Sequence, residues 1–104
     1  MQTNDPVARK FSLEIKRKLG LHLKGLILFC SRARGDAKES SDYDFLILVD
    51  ERSKEIVHLI RQTEVELLDS EEALSGSLIL TEEEWLNRKA LPIGIAIQRE
   101  GILL

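Results

Sequence analysis

Ser31-Arg-Ala-Arg-Gly35, then Ser41-Asp-Tyr-Asp44 running straight into Phe45-Leu-Ile-Leu-Val49, is the stretch that sets the architecture of this chain. The apolar run Phe45 to Val49 has the length and β-branched content of a buried strand, and a second such run, Leu26 to Cys30, precedes the polar segment. On a strand, residues two apart face the same way. Asp42 and Asp44 therefore point to one face, their backbones about 7 Å apart. Asp is disfavoured in strands, so a pair of them at a strand entrance needs a reason, and holding one divalent cation, or two, is a reason of the right chemistry.

Outward from this core the pattern alternates helix and strand. Asp5-Pro6 reads as an N-cap followed by proline at the first helical position, with Val7, Phe11, Ile15 and Leu19 marking one apolar face and Gly20 a stop. Lys16-Arg-Lys18 falls in the last turn, where cations suit the helix dipole. Tyr43 to Val49 reads as the second strand, and Asp50 to Ser53 after it as a turn. A long helical pattern follows through Ile56, Leu59, Ile60, Thr63, Leu67 and Leu74. Ser75-Gly76-Ser77 reads as a break, Leu78 to Leu80 as a short third strand, and Thr81 with Glu84 as a capping box opening a helix that carries Trp85 and Leu86. Pro92 begins a last helix ending near Gly101, before an apolar tail. The expected fold class is α/β, a small mixed β-sheet flanked by helices, in a single domain spanning residues 1–104.

Composition narrows the function. The 104 residues are 43% hydrophobic and 32% charged, as in ordinary globular domains, and the net charge of −3 argues against nucleic acid as a partner. Cys30 is the single cysteine, which excludes an intrachain disulfide and fits a reducing, cytoplasmic setting. No apolar run approaches the roughly 18 residues of a membrane span. So small a chain has little surface for an elaborate substrate pocket, so a second protein is the expected source of any acceptor group.

The polar segment supplies the complementary chemistry. A strand that breaks into a serine-containing turn leaves backbone N–H groups free to face an anion. Ser31 adds a hydroxyl donor, Arg32 and Arg34 offer charge-assisted bonds to phosphate oxygens, and Gly35 closes the turn. His22 and His58 have no ligand partners at metal spacing, and Trp85 reads as a core residue.

Leu28 to Asp36, continuing to Ser41 to Val49, resembles the DNA polymerase β-like nucleotidyltransferases, and in particular the minimal nucleotidyltransferases, whose pattern is Gly-Ser-x-Ala-x-Gly followed by Ser-Asp-x-Asp. The resemblance implies the polymerase β-like nucleotidyltransferase fold and an Mg2+-dependent transfer of AMP from ATP. By position in the motif it implies triphosphate binding at Ser31, assisted by Arg32, Arg34 and Gly35, and metal binding at the catalytic pair Asp42 and Asp44. Many such proteins are antitoxins of HEPN toxins, helical ribonucleases, and some adenylylate a tyrosine of that toxin, so a HEPN-type partner is the expectation. An alternative is an antitoxin of the same fold that neutralises its partner by binding, with weak or no catalysis. Two departures favour it: Cys30 stands where the family has its first glycine, and Ser75 to Leu80 carries no acid where the family usually places a third carboxylate. Asp50 shares the parity of Asp44 but lies roughly 20 Å further along an extended chain. Glu66, Asp69, Glu71 and Glu72 fall in the helical pattern or at its end.

Overall fold

A computed structural model describes residues 5–29 and 43–104. Helix α1 (Pro6–Leu19) starts where the Asp5 side chain accepts from the backbone N–H groups of Val7 and Ala8, and ends at Gly20, whose φ of +54° leaves the helical region. A 3-10 turn, Gly20–His22, leads into β1 (Leu23–Leu28). Strand β2 (Tyr43–Val49) has the bounds read from the sequence. Helix α2 (Lys54–Glu71) is capped by Ser53, and β3 is Ser75–Thr81. Helices α3 (Glu82–Arg88) and α4 (Pro92–Glu100) follow, and the apolar tail forms the two-residue strand β4 (Ile102–Leu103).

The sheet order is β3-β2-β1-β4. Strands β1 and β2 are antiparallel, as are β1 and β4, whereas β2 and β3 run parallel in register from Tyr43↔Ser75 to Val49↔Thr81. A parallel pair needs a crossover, and α2 is that crossover. The expected small mixed sheet flanked by helices is what forms.

Period-two alternation divides the core. Tyr43, Phe45, Ile47 and Val49 face α1 and α2, packing with Phe11, Ile15, Leu28, Ile60 and Leu67. Phe11 and Phe45 stack with ring centroids 4.2 Å apart. On the opposite face Leu46 packs with Leu80 of β3 and Ile97 of α4, and Ile27, Phe29, Leu78 and Trp85 close around them. Trp85 is thus a half-buried packing residue. Among the described residues no helix is long and apolar enough to cross a membrane.

Three boundaries differ from the sequence reading. The strand expected from Leu26 starts at Leu23, because pairing with β2 carries Lys24 and Gly25 along despite their weak strand preference. The long helix ends at Glu71, with Glu72 in the left-handed region at φ +52°, and Leu74 lies beyond it. Ser75-Gly76-Ser77 is not a break but the first half of β3. Its parallel ladder with Tyr43, Asp44 and Phe45 satisfies the backbone whatever the local preference, so tertiary pairing overrides turn-like composition.

Candidate active site

The carboxylate end of the sheet is assembled by three strands. β2 begins there, β3 begins beside it, and β1 ends there, with the Phe29 N–H donating to the Asp44 carbonyl at 3.0 Å. The Tyr43 N–H donates to the Leu74 carbonyl at 2.9 Å, tying the same entrance to the start of β3. Asp44 is exposed, and strand alternation puts it on the face of Leu46, opposite Tyr43 and Phe45.

The chain leaves the described region after Phe29 and re-enters at Tyr43. Phe29 and Asp44 are held side by side by that hydrogen bond. Of the residues expected to form the site, Asp44 is the one described. Ser31, Arg32, Arg34, Gly35 and Asp42, together with Cys30, lie outside the described residues.

The β2–β3 register decides what stands beside Asp44. Gly76 is its direct partner, and a Cβ added there would lie 3.9 Å from Asp44 Oδ1, an ordinary contact distance. The next residue of β3 on that face is Leu78, paired with Leu46. Neither carries an acid. Among the described residues no group of three or more His, Cys, Asp and Glu side chains is placed to hold a metal ion. An exposed carboxylate at a strand entrance does suit a hard cation such as Mg2+, provided other oxygens complete the shell.

Three of the other acids, Glu66, Glu71 and Asp50, are engaged elsewhere. Glu66 lies 2.5 Å from Lys18 and Glu71 lies 2.9 Å from Lys10, both across the α1–α2 seam behind the sheet. Asp50 follows the far end of β2 and accepts from His22 Nδ1 at 3.0 Å. That bond, with a smaller coulombic contribution from His22, holds the Asp50 carboxyl below its usual value. This pair was invisible in the sequence, where the two residues stand 28 apart. Arg52 reaches Glu84 at 2.5 Å and the Ile79 carbonyl at 3.1 Å, fastening α3 to the sheet.

Comparison with known proteins follows this geometry. The sequence model of a family described as nucleotidyltransferase domain matches residues 8–97. No curated protein sequence matches the chain. Among solved structures, a putative nucleotidyltransferase from Sulfolobus solfataricus superposes with a TM-score of 0.60 at 19% identity, covering 93% of this chain and 75% of the other. A toxin–antitoxin crystallised with AMP-PNP gives a TM-score of 0.64 at 15% identity, covering 90% and 69%. A mutant of the toxin–antitoxin MntA–HpeT gives 0.64 at 16% identity, covering 99% and 72%. At these identities the likeness is one of fold.

Proposed function

The chain belongs to the nucleotidyltransferase domain family, and from that premise we propose that it moves AMP from Mg-ATP to a hydroxyl of a partner protein, a toxin of the helical HEPN type. The observation that carries this reading is Asp44, exposed at the entrance of β2, with Gly76 as its partner on β3 and Phe29 hydrogen-bonded beside it. Likeness of fold to two toxin–antitoxin proteins, one crystallised with AMP-PNP, supports a nucleotide and a toxin as the two things brought together.

In this proposal Ser31 and the backbone amides after it hold the triphosphate, and Arg32 and Arg34 pair with its oxygens. Gly35 lets the chain turn back towards β2. Asp42 and Asp44 hold Mg2+, which when bound orients the phosphates and screens their charge. The acceptor oxygen bonds to the α-phosphorus as the bond from it to the bridging oxygen of the β-phosphate breaks, pyrophosphate leaves, and the hydroxyl proton passes to solvent. Asp44 keeps its orientation because its carbonyl is fixed by Phe29. The test is incorporation of α-labelled ATP into the partner by the purified pair. Asp42→Asn with Asp44→Asn is expected to abolish it; labelling that persists refutes the assignment.

A second reading, neutralisation by contact with little turnover, is favoured by one observation. Gly76 and Leu78, the β3 residues beside Asp44 and Leu46, offer no base for the acceptor proton. Under it, the doubly substituted chain still neutralises the toxin. Loss of neutralisation with the complex intact excludes it.

A further inference from the structure

Tyr43 stands between the two carboxylates in sequence, but its side chain goes to the opposite face and is almost fully buried, 3% exposed. A phenylalanine would fill that volume equally well. The hydroxyl instead lies 2.9 Å from Asp5 Oδ1 and 2.7 Å from Asp5 Oδ2, donating to the carboxylate that caps α1. The same Asp5 Oδ1 accepts from Val7 N at 2.9 Å and Ala8 N at 3.3 Å. The Tyr43 ring stacks 6.2 Å from Phe45, which in turn stacks on Phe11 of α1.

Strand ends fray, and the first residue of a strand is where orientation is most easily lost. Here residue 43 is tied to β3 through Leu74, to α1 through Asp5, and to its own strand through Phe45. Because side chains alternate, fixing Tyr43 on the helix face fixes the direction in which Asp44 leaves on the other. A site held by supporting hydrogen bonds keeps its geometry; one without them loosens.

We propose that the Asp5–Tyr43 clasp is a positioning device for the carboxylate end of β2, so that Tyr43 and Asp5 govern Mg-ATP affinity without touching the ligand. This inference rests on the nucleotide reading of the site. It is tested on the full chain with Tyr43→Phe, which keeps the ring, and Asp5→Ser, which keeps an N-cap but is too short to reach Tyr43. Mg-ATP affinity is measured by titration calorimetry, and amide exchange is followed at residues 43 to 45.

Each variant is expected to speed exchange at 43 to 45 and weaken Mg-ATP binding by roughly five- to tenfold, short of the ~10²-fold that a 1 Å displacement costs in rate. The double variant is expected to lose no more than either single one, as partners in one interaction do. A lowered melting temperature with unchanged affinity and exchange makes Tyr43 merely structural and overturns the proposal. If the unaltered chain binds no Mg-ATP while exchange still rises in the variants, the nucleotide reading falls and the clasp remains.

Discussion

In the proposed reaction Asp44 is a metal ligand and Gly76 its neighbour on β3, so Asp44→Asn is expected to lower Mg2+ affinity, as titration of the folded variant would show. Gly76→Asp tests the opposite change. Its Cβ meets Asp44 Oδ1 at an ordinary 3.9 Å, so the backbone accepts it and a carboxylate is delivered beside the first. Without metal, two like charges so close oppose each other, raising the pKa of one and lowering the melting temperature. With Mg2+ the repulsion becomes shared coordination. Gly76→Asp is therefore expected to show a steeper Mg2+ dependence of melting temperature than the parent. If turnover is limited by a missing acid, partner labelling also accelerates. A flat Mg2+ response would mean that position 76 does not face the metal.

At the scale of elements, much was legible because the signals are local. Asp5-Pro6 opens α1 through the hydrogen bonds the cap predicts, Tyr43–Val49 is the strand its apolar run describes, and Thr81 with Glu84 forms a reciprocal capping box at α3. What stayed hidden is what depends on partners distant in sequence. Ser75 to Ser77 becomes strand only because β2 lies beside it, and the clasp of Tyr43 with Asp5 joins residues 38 apart. The motif was legible in the sequence, and of its residues the structure describes Asp44 at the entrance of β2. The emptiness of β3 beside it was legible as composition, and its meaning required the register. The capping box also carries a pH dependence. Glu84 is held below its ordinary value of 4.5, first by the Thr81 backbone N–H and then by Arg52. A carboxylate depressed in the folded state stabilises the fold above its unfolded pKa, and that contribution disappears as pH falls through the folded value. The melting temperature is thus expected to drop below about pH 4.5, and Glu84→Gln to flatten part of that drop. An unchanged acid profile in Glu84→Gln would assign the loss to other acids, Asp50 with His22 foremost.

Across the whole molecule, one sheet separates two unequal layers. Helices α1 and α2 cover one face with Phe11, Ile15, Phe45 and Ile60 fully buried, whereas α3 and α4 cover the other with a smaller cluster around Leu46, Leu80 and Ile97. Asp44 lies exposed on that more thinly covered face. A ligand bound at Asp44 therefore engages the entrance of β2, which is joined by backbone hydrogen bonds to β1 and to the start of β3. Such a ligand binds the folded sheet and not the unfolded chain, so its binding free energy adds to global stability. At a concentration 100 times its Kd this amounts to about 2.7 kcal/mol. For a domain of about 100 residues, that corresponds to a rise in melting temperature of roughly 12 °C. Mg2+ with ATP together are expected to give this shift, and either one alone much less, because the carboxylates repel an unaccompanied triphosphate and hold an unaccompanied cation weakly. Asp42→Asn with Asp44→Asn is expected to abolish the synergy. A shift of equal size with ATP alone would place the nucleotide on basic groups away from Asp44, and the metal would then have no part in holding it.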